Sequence, residues 1–347
     1  GADGTAKFTA DLPLGFSYDV KEVQAPEGYV RNTEDVYTFA LSYTNDKEVK
    51  QTFKHTFKNE RVTAKISLQK QDKETKKAVP QGDATLEKAV YGLYAREDIV
   101  HPDGATGVVY KAGEQVATLT TDKNGQASVD GLYLGNYYVK EITPPTGYLA
   151  DEEEHDLVCN YEGDLVAEVK RDCLSLEQVM KQPFQIIKAA NNGKSDADLL
   201  KRAGFTAYLV SSLKVNEDGS YDFDSAKPVV IGENGATEIF TDEKGYACSI
   251  AIPYGTYIVR ETTTPHNYTP VDDFIVQITE NHPSTPQVWR VMLDKEFEAK
   301  LKIIKQDDET KKAVLQKNTE FKVFNMDTEK YTWMFFKYFF KMWVAVW

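Results

Sequence analysis

The feature that most constrains this chain is a long internal repeat. One stretch reads Leu12-Pro13-Leu14-Gly15, Tyr18-Asp19-Val20-Lys21-Glu22 and Ala25-Pro26-Glu27-Gly28-Tyr29. A second reads Leu132-Tyr133-Leu134-Gly135, Tyr138-Val139-Lys140-Glu141 and Pro144-Pro145-Thr146-Gly147-Tyr148. A third reads Ile252-Pro253-Tyr254-Gly255, Ile258-Val259-Arg260-Glu261 and Thr264-Pro265-His266-Asn267-Tyr268. The glutamates stand 119 and 120 positions apart, each followed by Pro after four residues and Tyr after seven. A second motif recurs out of phase: Lys70-Gln71-Asp72-Lys73-Glu74-Thr75-Lys76-Lys77-Ala78-Val79 nearly duplicates the stretch from Lys305 to Val314. Phe184-Gln185-Ile186-Ile187-Lys188 has the same pattern between them, and these lysines lie 118 and 117 apart. Two independent motifs with one period define a tandem array.

Each unit consists of short alternating or apolar runs separated by turn residues, the pattern of an all-β sandwich. Tyr91-Gly92-Leu93-Tyr94 and Phe205 to Val210 read as core strands, while Asp122-Lys123-Asn124-Gly125 and Asp242-Glu243-Lys244-Gly245 read as hairpin turns. Only Ser195 to Arg202 has room for a helical turn or two. Counted from the lysine strand, residues 1–60 are the C-terminal part of one repeat, 61–178 and 179–295 are two whole repeats, and 296–331 opens a fourth. Residues 332–347 form an atypical aromatic tail. The expected fold is therefore a row of Ig-like β-sandwich domains.

Three cysteines, Cys159, Cys173 and Cys248, are too few and too oddly spaced for a disulfide framework. A hairpin centred on Glu162-Gly163-Asp164 would put Ala167 opposite Cys159, so three separate thiols are expected. The net charge is −13, with Lys and Arg scattered, which disfavours a nucleic-acid partner. The five histidines are isolated, the run Asp151 to Glu154 lacks the spaced ligands of a calcium loop, and no metal site is expected. No constellation for enzymatic turnover appears.

The combined pattern Lys-x-Asp, Gly-Leu-Tyr, Leu-Gly-x-Tyr, Val-Lys-Glu and Pro-x-Gly-Tyr resembles the collagen-adhesin B-type repeats and Spa-type pilin domains of Gram-positive bacteria, from residue 1 to about residue 331. The resemblance implies prealbumin-like β-sandwiches. It also implies an internal isopeptide bond from a first-strand Lys to a last-strand Asn or Asp, assisted by the Glu of the Pro-Gly-Tyr motif. The residue types suit that chemistry. Burial favours the neutral amine of a lysine and the neutral acid of a carboxyl, giving a nucleophile and a proton donor in one place. No cofactor is needed.

Carried onto this sequence, the third repeat offers Lys188, Glu261 and Asp294, the last lying 11 residues before Lys305. In the first repeat Asn59 precedes Lys70 by the same 11, with Glu22 as its acid and the lysine expected upstream. The fourth repeat keeps only Lys305. The second repeat departs from the pattern: Lys70 and Glu141 are present, but Glu177 stands 11 before Lys188, one methylene longer than the acceptor the family uses. Asp172, five residues earlier, is the nearest alternative. Either the strand register shifts there or this repeat has no crosslink.

The expected role is a structural stalk or adhesin segment of a cell-wall-associated, extracellular protein. Its partners are the neighbouring repeats of its own chain. A module that binds a host extracellular-matrix protein or glycan is the second reading. Gly1-Ala2-Asp3-Gly4 lacks the charged and apolar regions of a secretory signal, so export and anchoring signals are expected outside this stretch. The tail from Trp333 to Trp347 is too short for a spanning helix. It reads as a frame error or an artificial end, with a membrane-surface anchor as the second possibility.

Overall fold

A computed structural model of the protein describes residues 4–8, 11–43, 51–191, 198–297, 303–315, 321–326 and 329–332. The tail and residues 195–197 of the expected helical turn lie outside them. Residues 198–202 are not helical, and Leu199 bridges to Ala189. The described helical residues are two single 3-10 turns, Val210–Ser212 and Glu233–Gly235.

The first long strand of the second repeat, Thr63–Asp72, shows why the units fold as sandwiches. Its residues alternate strictly in burial, with Ala64, Ile66, Leu68, Lys70 and Asp72 inward. A strand turns successive side chains to opposite faces, so the apolar alternation fixes this face and carries Lys70 into the core with it. The strand lies between Glu168–Glu177 and Gln126–Leu132 in a three-stranded sheet. A four-stranded sheet packs against it, in the order Glu154–Cys159, Gly135–Thr143, Val90–Ala95 and Gln115–Thr120. Ile66, Leu68, Tyr91, Leu93, Tyr137 and Val139 fill the space between, all at 2 % exposure or less.

The third repeat is built the same way. Its lysine strand, Gln185–Asn191, lies between Tyr246–Cys248 and Arg290–Glu296. The facing sheet runs Glu238–Phe240, Gly204–Leu209, Gly255–Thr263 and Phe274–Ile278. In both repeats the last strand runs parallel to the first and is hydrogen-bonded to it. Tension on the two ends of such a domain loads this parallel pair in shear. The first repeat contributes an antiparallel pair, Phe16–Lys21 with Val36–Leu41, which leaves Phe16, Val20 and Val36 exposed.

Two expectations about turns need correction. Cys159 and Cys173 do not flank a hairpin: Glu154–Cys159 pairs with Gly135–Thr143, whereas Glu168–Glu177 crosses to the other sheet and pairs with the lysine strand. The chain must change sheets there because its last strand closes beside its first. The two cysteines are buried in one core as free thiols, and burial pushes the Cys173 thiol up to about 12. The Asp-x-x-Gly turns do form, with Gly125 and Gly245 at φ +71° and +65°, but each joins strands of opposite sheets rather than a hairpin.

Candidate functional site: two buried lysines

The Asp-x-x-Gly turns set the lysines in place. Lys70 N donates to Gly125 O at 2.8 Å, and Lys188 N donates to Gly245 O at 2.7 Å. A Cβ on Gly125 would stand 2.8 Å from Lys70 O, and one on Gly245 would stand 2.4 Å from Lys188 O. These glycines are needed for close approach to the lysine backbone as well as for their positive φ.

In the third repeat the parallel register sets Lys188 against Met292 and Ala190 against Asp294, which places Asp294 one inward position beyond the lysine. Lys188 Nζ meets Glu261 Oε2 at 2.7 Å and is in direct contact with Asp294 Oδ1. All three side chains are fully buried. Phe205 lies under the lysine nitrogen, which stands 5.6 Å from its ring centre, and the apolar Met292 faces Lys188 across the parallel pair. Burial pushes the Asp294 carboxyl up to about 6; Lys188 pulls it down, and Glu261 adds to the rise. Glu261 Oε1 and Asp294 Oδ2 have no hydrogen-bond partner among the described residues.

The second repeat gives a different result from the sequence expectation. Its register is not shifted: Lys70 faces Ser175 and Asp72 faces Glu177, so Glu177 occupies the place that Asp294 holds in the third repeat. Asp172 pairs with Ser67 in the middle of the strand, three steps short of Lys70, and is exposed, so it is not the partner of Lys70. The reason is the period-2 alternation, which turns Cys173, Ser175 and Glu177 inward and Asp172 outward. Lys70 Nζ contacts Glu177 Oε1 directly and Glu141 Oε1 at 3.1 Å, again with no exposure on any of the three side chains. Burial lowers Lys70 to about 8, against the pull of Glu141 upward.

The lining of this second site was not anticipated from sequence. Tyr91 donates to Glu177 Oε1 at 2.6 Å and accepts from Lys70 Nζ at 3.2 Å. Ser175 Oγ lies 3.2 Å from the same Glu177 oxygen and 3.1 Å from Asp151 Oδ2, and can donate to either. Asp151 in turn meets His155 Nε2 at 2.9 Å. Burial acts to raise the Asp151 pKa, but its hydrogen bonds with His155, Glu153 and Ser175 outweigh that and hold it low.

A further shared feature holds the glutamates. Glu22, Glu141 and Glu261 each accept, on Oε2, the backbone N–H of the residue ten positions later: Asn32 at 3.2 Å, Asp151 at 2.7 Å and Val271 at 3.0 Å. In the first repeat Asn59 Nδ2 reaches Glu22 Oε2 at 2.6 Å and Val30 O at 2.9 Å. Lys305 of the fourth repeat is exposed, and its backbone carbonyl accepts from Val314 N.

The Gly-Tyr end of the glutamate motif has its own role at the joints between repeats. Tyr29 bridges to Arg61 and Tyr148 to Val179, while Val62 N and Met180 N each donate to the carbonyl of the preceding motif glycine at 2.8 Å. At the second joint Ala84, Leu86, Tyr148 and Val179 form a small separate core, with Tyr254 of the third repeat packed on it. Asp83 fastens it by donating its N–H to Tyr254 O and accepting from Thr256 N, both at 2.9 Å.

Comparison with known proteins agrees with this architecture. The model of the SpaA prealbumin-like fold domain family matches three times, over residues 1–56, 64–172 and 184–290. No curated protein matches the chain. Among solved structures, the chain is similar to the Bacillus anthracis TIE protein at 23 % identity and a TM-score of 0.50, covering 82 % of this chain and 42 % of that one. This chain thus spans less than half of that protein's length. GBS52, the minor pilin of Streptococcus agalactiae, is 16 % identical with a TM-score of 0.30 and coverages of 70 % and 100 %. The shaft pilin SpaA from Lactobacillus rhamnosus GG is 17 % identical with a TM-score of 0.25 and coverages of 68 % and 98 %.

Proposed function

Because the chain belongs to the SpaA prealbumin-like fold domain family, we propose that it is a pilin-like stalk segment of an extracellular, cell-wall-associated bacterial protein, with its third repeat locked by a self-formed Lys188–Asp294 amide. The supporting observation is the buried contact of Lys188 Nζ with Asp294 beside Glu261, joining the first and last strands. Burial favours the protonated acid at Asp294, whose carboxyl is pushed up to about 6. The Lys188 nitrogen attacks Cγ of Asp294, and Glu261 carries the surplus proton to the departing hydroxyl. One C–N bond forms, one C–O bond breaks and one water leaves.

The mechanical benefit follows from the topology. The linked atoms are 106 residues apart in sequence. Closing a loop of roughly 100 residues removes about 4–5 kcal/mol of unfolded-state entropy on the disulfide model. Load on the parallel pair then passes through an amide, which reductants do not cleave. The joint built on Asp83 and Tyr148 suits a stalk, since it limits bending between repeats. Peptide mapping of the whole chain by tandem mass spectrometry tests the proposal. A linked pair containing Lys188 and Asp294, short of one water, is expected, and Glu261→Ala should abolish it. Recovery of both peptides unlinked from the wild type would end this reading.

A host-binding module is the second reading, favoured by a groove of about 480 Å³ on the outer face of the third repeat. There Arg260 lies 4.0 Å over the Phe223 ring and pairs with Asp273 at 3.0 Å, beside Tyr221 and Phe274. Aromatic faces with a charged pair suit a sugar or a polar peptide. Glycan-array and matrix-protein binding by the whole chain test it, and a plain stalk should bind nothing.

A further inference from the structure

The second repeat departs from the expected acceptor yet presents a complete reaction site. We propose that it closes through an amide between Lys70 and Glu177, with the Tyr91 hydroxyl holding the acceptor oxygen and Glu141 transferring the proton. The inference rests on the reading above, that buried lysines of this chain condense with last-strand carboxyls.

Register is the first support. Glu177 and Asp294 lie at the same step beyond their lysines on the same parallel strand, so the two acceptors are placed alike by the backbone. Volume is the second. The residue facing the lysine is Met292 in the third repeat and Ser175 in the second, and the smaller side chain leaves room for the longer acid. Contact is the third: the lysine nitrogen touches Glu177 Oε1 where neither side chain meets solvent.

Each group then has a chemical task. One proton passes from Lys70 Nζ to Glu177 Oε2, a buried atom with no hydrogen-bond partner among the described residues. The neutral amine attacks Cδ of the neutral acid, and Oε1 takes up the carbonyl electron pair. Two hydroxyls converge on that oxygen, Tyr91 at 2.6 Å and Ser175 at 3.2 Å, the arrangement that stabilises a developing oxyanion. Glu141, fixed by Asp151 N at 2.7 Å and 3.1 Å from Lys70 Nζ, takes the surplus proton from nitrogen and passes it to the Oε2 hydroxyl. The Nζ–Cδ bond forms, the Cδ–Oε2 bond breaks, and water leaves. No outside reactant is required.

Intact mass and peptide mapping of the whole chain decide the matter. The expected result is a deficit of two waters, with one linked pair holding Lys70 and Glu177 and another holding Lys188 and Asp294. Glu177→Ala should restore one water and leave the Lys188–Asp294 pair linked. A deficit of one water mapped only to Lys188–Asp294 overturns this inference and leaves the proposed function standing. A deficit mapped only to Lys70–Glu177 supports the inference and overturns the third-repeat assignment. No deficit at all overturns both.

Discussion

The two lysine sites occupy the same place in two copies of one fold, yet their walls differ in kind. Phe205 lies beneath Lys188, Met292 faces it, and Val271 N holds its glutamate; at the corresponding places of the second repeat stand Tyr91, Ser175 and Asp151, with His155 bonded to Asp151. The third site isolates a short acid in an apolar pocket. The second suspends a longer acid in a chain of hydrogen bonds that ends at the partly exposed His155. What both share is the lysine on its glycine turn and the glutamate held by a backbone N–H. Across that difference both sites keep a buried amine, a clamped glutamate and a carboxyl at one fixed step of the closing strand.

The largest expected effect separates the two repeats. Asp294→Ala removes the acceptor of the third repeat alone, so that repeat should lose about 4–5 kcal/mol of unfolding free energy from loop closure, beyond any cost of leaving Lys188 with one partner. Calorimetry of the whole chain should then show the third repeat melting well below the second. A single unchanged transition would mean that no amide spans the third repeat.

A pH experiment sharpens the contrast between the walls. Lys188→Met blocks the amide and removes the group that pulls Asp294 down, so its carboxyl should titrate at or above the value of about 6 set mainly by burial. A carboxyl with a raised folded pKa supports the folded state fully below its unfolded value near 3.8 and loses that support as pH rises through its folded value. The third repeat of this variant should therefore melt at progressively lower temperature as pH rises through 6, by about 2–3 kcal/mol over roughly two units of displacement. A melting temperature flat across this window would show that Asp294 is not desolvated.

The glycine turns come next. Gly245→Ala drives a Cβ to 2.4 Å from Lys188 O, and Gly125→Ala drives one to 2.8 Å from Lys70 O. Both also place alanine at positive φ. Each should cost about 1–3 kcal/mol, the tighter third-repeat position more, and each should lower the linked fraction of its own repeat only. Equal linkage in both variants would mean that the turn does not set the lysine.

Much of this was legible in the sequence because it is carried by spacing. The period exposed Lys70, Lys188, Glu141 and Glu261, and the 11-residue offset already fell on Glu177 as well as Asp294. Preference for a short acceptor drew attention to Asp172. Alternation along Cys173, Ser175 and Glu177 was the available signal that Asp172 faces outward. The same alternation through Ala64, Ile66 and Leu68 was the available signal that Lys70 faces inward. The polar wall was not legible, since Tyr91, the Asp151–His155 pair and Ser175 come from three separate parts of the repeat. Nor was the strand crossing after Cys159, because a turn composition reads the same whether the chain stays in its sheet or changes to the other.

The smallest expected effect tests whether the difference in walls matters to bond formation. Tyr91→Phe gives the second site the ring that the third already has at Phe205, so the fold should tolerate it at a cost of about 1 kcal/mol for the lost hydrogen bond. If the hydroxyl holds the acceptor oxygen, a mass time course after refolding should show slower loss of the Lys70 water and no change at Lys188. The reciprocal Phe205→Tyr adds a donor beside Asp294 and should leave linkage there intact. Equal rates for Tyr91→Phe and the wild type would make the hydroxyl a packing group. The longer acid would then need no help beyond the room that Ser175 leaves, and geometry alone would account for both sites.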